Sequence, residues 1–181
     1  MESKITTAIE KDRKCIRQYL EIMRLLPLVD VSRDRGFQRK YNAFYRVRQR
    51  PREWYEAYFS YLENNKGRTP KFDDVLDHIF LTLGKYEPSF SSKLVATLDP
   101  YQPVWDRFVI KNIGEAESLY TDKNRVARAK IVYQRIQDWY ANYLVFLEGK
   151  QVIATFDRLV AESKSITSVK KVAFILWQIR L

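Results

Sequence analysis

The chain has one cysteine, one histidine and five glycines in 181 residues, and each scarcity closes a chemical route. Cys15 has no partner for an internal disulfide, and its place in an apolar helical stripe makes it a small core residue. With His78 as the sole imidazole there is no Cys/His zinc cluster, and a Ser-His-Asp triad would have to use that residue. His78 lies between Asp77 and Ile79 in a helical pattern, where an ordinary partly buried or surface role accounts for it. No Walker loop or dinucleotide glycine fingerprint occurs. No apolar run approaches the roughly 20 residues needed to cross a bilayer, and Met1 to Thr7 lacks the apolar core of a signal segment. A cytoplasmic protein is expected, without membrane, metal or cofactor. Catalysis in such a chain would rest on carboxylates and lysines.

What the chain does have is apolar and aromatic. Hydrophobic residues make up 46 % and aromatic residues 14 %, enough for a substantial packed core in a 21.7 kDa chain. The periodicity is helical throughout, and no segment alternates long enough for a strand. Ile5, Ile9, Ile16, Tyr19, Met23 and Leu26 form one stripe, which Pro27 ends, and Thr7 with Glu10 offers a capping box. Further helices are expected at about 37–48, 51–64, 71–83, 91–98, 103–113, 121–147, 152–160 and 168–179. Gly84, Gly114 and Gly149 each follow an apolar run, as helix-closing residues do. Pro51, Pro70 and Pro103 each precede one. The expectation is a single all-α domain over 1–181, about nine helices in a compact orthogonal bundle, with points of sub-division near 27–35 and 115–123.

Charge is uneven. The net charge is +10, and between residues 33 and 52 lie Arg33, Arg35, Arg39, Lys40, Arg46, Arg48, Arg50 and Arg52 with Asp34 as the lone acid. Gathered on one face, these would attract a phosphate polymer by counterion release and steering. Aromatic rings are woven through the same stretch. On a helix from Phe37, the residues Phe37, Tyr41 and Phe44 share one face, and Trp54, Tyr55, Tyr58 and Phe59 form a second, so most of these rings belong to a core. Glu53, Glu56 and Glu63 are available as intramolecular partners for the arginines. Lys123, Arg125, Arg128, Lys130 and Arg135 would extend the basic surface, with Lys164, Lys170 and Lys171 as outer contributors.

The segment 87–114 reads EPSFSSKLVATLDPYQPVWDRFVIKNIG. A Ser-Lys pair opening a short helix, then Thr-Leu-x-Pro, then Pro-Val-Trp-Asp, resembles an uncharacterised bacterial all-helical family that is in turn similar to the helix-hairpin-helix DNA glycosylase superfamily. The resemblance implies a glycosylase-like core and places Lys93 and Asp106 in the catalytic positions. There the aspartate supports departure of a damaged base, and the lysine of bifunctional members attacks the sugar to give a Schiff base. Where that family has a glycine-rich hairpin, this chain has Glu87-Pro88-Ser89-Phe90-Ser91-Ser92, with neither glycine. Asp106 also has a structural explanation, as a carboxylate in the first turn of a helix begun by Pro103.

The function expected from these readings is nucleic-acid binding, DNA favoured, by a divergent base-excision glycosylase-like protein. The alternative is a non-catalytic interaction module for an acidic protein partner, or a purely structural helical domain.

Overall fold

A computed structural model describes residues 2–112, 114 and 124–178. The chain is all-helical. Among the described residues there are nine α-helices and no strand: α1 (Glu2–Leu25), α2 (Arg35–Tyr45), α3 (Arg52–Asn64), α4 (Phe72–Leu83), α5 (Pro88–Leu98), α6 (Arg107–Asn112), α7 (Arg125–Val145), α8 (Leu147–Leu159) and α9 (Ser168–Gln178). A single 3-10 turn, Ser163–Ser165, precedes α9.

The helix limits follow from local chemistry. Asp34 caps α2 by accepting a hydrogen bond from Phe37 N at 2.7 Å, and Arg46 closes that helix in the left-handed region at φ 54°. Gly84 closes α4 at φ 60° and donates to Phe80 O at 2.9 Å, as its place after the apolar run predicts. Pro88 occupies the first turn of α5, three residues before the expected start. A proline there loses no hydrogen bond.

Several expectations are corrected by packing. Thr7 lies inside α1, where its hydroxyl donates to Ser3 O at 2.9 Å, so no capping box forms with Glu10. Pro103 does not start a helix. Residues 103–106 run without helical structure because Tyr133 Oη donates to Pro103 O at 2.8 Å and Trp105 N donates to Ser92 Oγ at 2.8 Å. α6 begins only afterwards, with Ile110 N donating to Asp106 O at 2.9 Å. Gly149 is not a helix closer either: it lies inside α8 and packs on the backbone of Tyr143. The chain turns before it, at Phe146, which is extended at φ −71°, ψ 156°. The expected starts and ends at 115–123 and 179 lie outside the described residues.

One hydrophobic cluster draws on all nine helices. Residues 27–34 are tied down on both sides, since Val31 is fully buried, Val31 N donates to Glu63 Oε2 at 2.7 Å and Gln38 Nε2 donates to Val31 O at 2.9 Å. α9 is buried from Val169 through Ile175 and packs against α1, α6, α7 and α8. That placement corrects the outward reading of two lysines. Lys170 and Lys171 are buried, Lys171 pairing with Asp157 at 2.6 Å, and only Lys164 faces solvent.

A candidate lysine and carboxylate site beside a basic face

The arginine-rich stretch divides into paired and unpaired cations. Arg33 reaches Asp30 at 3.5 Å, Lys40 reaches Glu21 at 2.8 Å, Arg52 reaches Glu56 at 2.6 Å, and Arg35 donates to Gln38 Oε1 at 3.2 Å. Exposed pairs of this kind contribute little and leave the cations accessible. Arg50 differs. It grips both carboxylate oxygens of Glu87, at 2.9 and 3.2 Å, and its guanidinium lies 4.8 Å from the Phe90 ring and 5.4 Å from the Trp54 ring. Arg39, Arg46 and Arg48 are exposed and make no ion pair among the described residues. Arg39 lies on α2, and Arg46 is the left-handed residue that closes the same helix.

The interleaved rings do not join that surface. Phe37, Tyr41, Phe44, Trp54, Tyr58 and Phe59 are all buried, so the rings serve the core and the arginines serve the exterior. In the further basic set, Arg125 stacks 5.1 Å over Tyr86, Lys130 pairs with Asp77 at 2.6 Å, Arg128 and Arg135 are exposed, and Lys123 lies outside the described residues.

The charge of Asp106 acts on Lys93, and the residues beside the two are bonded to each other. The bond from Trp105 N to Ser92 Oγ ties α5 to the extended segment before α6, and each bonded residue is the immediate neighbour of one of the pair. Lys93 is half-buried, its ammonium donating to Tyr45 O at 3.3 Å and lying 4.4 Å from the Phe90 ring. Burial pushes its pKa down to about 8. Asp106 is the strongest charge acting against that shift, followed by Glu87, while Arg50 and Arg46 reinforce it. Relative to an ordinary lysine this raises the fraction of free amine at neutral pH by a few hundred-fold, on the order expected for a nucleophilic lysine. Glu87 is itself pushed up by burial, against the pull of Arg50 and then Lys93.

A second pair of ionisable groups lies behind this one. Asp12 on α1 is 1 % exposed, accepts from Gln178 Nε2 at 2.6 Å through Oδ1, and has no hydrogen-bond partner at Oδ2 among the described residues. Lys170 on α9 is 4 % exposed and its Nζ has no hydrogen-bond partner among the described residues. Burial raises the Asp12 carboxyl and lowers Lys170 to about 7, with Asp12 and Asp106 opposing the latter shift and Lys93 adding to it. The spacing 5, 9, 12, 16, 19 sets Asp12 on the apolar stripe of α1, and Lys170, Phe174 and Trp177 repeat the pattern through α9. A charged residue in register with an apolar stripe was the available signal for both.

These groups dictate a pH profile of stability. Unfolded lysines hold their protons to about pH 10.4, whereas folded Lys170 and Lys93 release theirs near 7 and 8. Between those limits the unfolded chain binds more protons, so stability rises with pH. Asp12 works oppositely at acid pH, its raised folded pKa giving stability that is lost as pH climbs out of the carboxylate range. Buried Tyr41, Tyr58 and Tyr140 are raised by desolvation and keep their protons above pH 10 only while folded, so stability falls again there. Thermal unfolding followed by circular dichroism should give a maximum Tm between about pH 9 and 10. A Tm that falls steadily from pH 7 to 9 would contradict the burial of both amines.

A groove of about 670 Å³ lies elsewhere, between the start of α4, the end of α5 and α7. Lys71, Asp99, Gln102, Lys130 and Gln137 line it, and neither Lys93 nor Asp106 does. Among the described residues no group of three His, Cys, Asp or Glu side chains is placed to hold a metal ion, and no helix is long and apolar enough to cross a membrane. No known protein family, no curated protein and no solved structure matches this chain.

Proposed function

We propose that the protein binds nucleic acid, DNA in the first instance, and acts on a base-free or damaged nucleotide in the manner of helix-hairpin-helix glycosylases. Arg39, Arg46 and Arg48 hold the phosphate backbone, Lys93 supplies an amine and Asp106 a carboxylate. The observation that carries this reading is a half-buried amine within reach of the charges of Asp106 and Arg46, on a helix tied to the segment before α6 by the Ser92–Trp105 bond. On an abasic sugar in its open aldehyde form, the neutral Lys93 nitrogen adds to C1′ and the carbonyl electrons move to oxygen. That oxygen, protonated, leaves as water and an imine remains. In base removal, Asp106 stabilises the positive charge that grows on the sugar as the base departs.

The loop before α5 departs from a phosphate-binding hairpin, since it lacks the two glycines and Glu87 is engaged by Arg50. Phosphate contact is therefore assigned to side chains. The same ion pair favours a second reading, a non-catalytic module that holds nucleic acid or an acidic protein by its arginines alone.

Titration on duplex, single-stranded and abasic-site DNA tests both. Three phosphate contacts predict binding about 40-fold weaker at 200 mM than at 50 mM salt. Borohydride should trap the wild-type protein on the abasic duplex, and Lys93→Met should reduce trapping by at least about 100-fold. Asp106→Asn should keep the fold and lose base removal. Weak binding without salt dependence would reject the electrostatic reading, and salt-sensitive binding without trapping would leave the non-catalytic module.

A further inference from the structure

Within the basic stretch Arg50 is the one arginine that is not exposed, and what it holds stands on the helix of Lys93. Glu87 caps the start of α5, Phe90 follows three residues on and Lys93 three beyond that, a spacing that sets the three side chains in succession along one side of the helix. Phe90 comes between the other two. Its ring lies 4.4 Å from the Lys93 ammonium and 4.8 Å from the Arg50 guanidinium, so both cations rest on one aromatic group. That ring is fixed. Trp54 packs edge-on at 5.1 Å between centroids, and Tyr58 Oη donates to Phe90 O at 3.1 Å. Arg50 closes on both oxygens of Glu87, at 2.9 and 3.2 Å, and leaves that side chain only 12 % exposed. A two-pronged pair of this kind fixes direction as well as charge.

The segment between α2 and α3 is thereby pinned to α5 at both ends, by Arg50 on Glu87 and by Lys93 on Tyr45 O at 3.3 Å. The two pins do not mix. No ion pair joins Glu87 to Lys93 among the described residues, although they stand two helical turns apart or less. The other charged and titratable groups around the amine are Tyr45 and Arg46 at the end of α2, Tyr58 on α3, Asp106 before α6 and Lys170 on α9. Lys85, after α4, acts on Glu87, while Asp77 and His78 on α4 are engaged by Lys130 and Tyr61. A Glu87 carboxylate released from Arg50 would find Lys93 on its own side of the helix. An ammonium held in an ion pair keeps its proton, and a protonated amine cannot attack.

We propose that Arg50 is a positioning residue for Lys93: by gripping Glu87 at the start of α5 it keeps that carboxylate from pairing with the amine, and so leaves Lys93 free to attack. The inference rests on the amine role given to Lys93 above, and it deepens that role by naming what guards the nucleophile. Arg50 touches no substrate and acts through Glu87.

The test needs no DNA. The Cε resonances of 13C-labelled lysines, followed from pH 5.5 to 10.5, read the protonation of Lys93 directly. In Arg50→Gln the freed carboxylate should turn to the amine and raise the Lys93 midpoint by at least about one pH unit, a tenfold loss of free amine at neutral pH. Arg50→Lys keeps a cation for Glu87 and should leave the midpoint within about 0.3 unit of wild type. Combining Arg50→Gln with Glu87→Gln should abolish the rise, because the capturing carboxylate is gone. A rise that persists in the double variant, or a midpoint unmoved in folded Arg50→Gln, overturns the proposal. Glu87→Gln decides the matter if Arg50→Gln does not fold: with Arg50 left unpaired beside Phe90 the midpoint should drop by about half a unit, and an unmoved midpoint would put the ion pair out of reach of the amine and overturn the proposal. Shifted midpoints without borohydride trapping of the wild-type protein on abasic DNA would remove the enzymatic reading and keep the guard, whereas trapping with unmoved midpoints would do the reverse.

Discussion

Replacing Gly149 by alanine should destabilise the protein by at least about 3 kcal/mol, more than a surface helix substitution can do. Alanine has the higher helix propensity, and Gly149 sits in the first turn of α8, so local preference alone would forecast a gain. Space reverses the sign. A Cβ at this position would stand 2.0 Å from Tyr143 O and 2.9 Å from Tyr143 C, both backbone atoms that no rotamer change can clear. Relief would require α8 to move away from the end of α7, across a single extended residue at Phe146. Urea denaturation reads the effect directly as a lower midpoint at unchanged slope. A variant within about 0.5 kcal/mol of wild type would mean that the α7–α8 corner is not packed as described.

Phe174→Ala should be comparably severe, at about 3–5 kcal/mol. The Phe174 ring is fully buried and meets four others, Tyr19 at 5.8 Å, Trp177 at 5.8 Å, Phe156 at 6.2 Å and Phe44 at 6.5 Å between centroids. Its removal costs the transfer free energy of the ring and leaves a cavity that the surrounding aromatic rings are too stiff to fill. The loss has a second component, because the same ring lies 5.3 Å from the Lys170 ammonium and forms one wall around it. Opening that wall removes a cation–π contact and admits water to the amine. Desolvation is the larger influence on this amine, so the admitted water relieves it, and the destabilisation should be smaller at pH 6.5, where Lys170 is charged, than at pH 9.5, where it is neutral in either protein. Equal losses at pH 6.5 and 9.5 would show that the ring supports the core without keeping water from the amine.

Much of the architecture was legible in the order of residues, for identifiable reasons. The stripe of Ile5, Ile9, Ile16 and Tyr19, the cap at Gly84 and the burial of Phe37, Tyr41 and Phe44 all follow from 3.6-residue periodicity and from the backbone freedom of one glycine. Each is decided within a few residues along the chain. The late start of α6 was not legible, because Ser92 and Tyr133 hold residues 103–106 out of a helix from distant positions. Gly149 misled for a similar reason: its sequence context marks a helix end, and its spatial context is the backbone of another helix.

The candidate site divides along the same line. Lys93 and Asp106 could be named from their motif, and the arginines from their density. That Arg50 is spent on Glu87 while Arg39, Arg46 and Arg48 stay open depended on which acids folding brought near. Lys170 looked like one more surface lysine because its charge outweighed its register with Phe174 and Trp177.

The sequence by itself determined that this protein is helical, roughly which segments form most of its helices and which rings of the arginine-rich stretch are buried, since propensity and amphipathic period act locally. Only the tertiary structure decided which amines lost their water, which carboxylates they share and which cations remain free. Desolvation and Coulomb interaction depend on distances between residues far apart in the chain, and those distances exist only once α1, α5, α6 and α9 have packed.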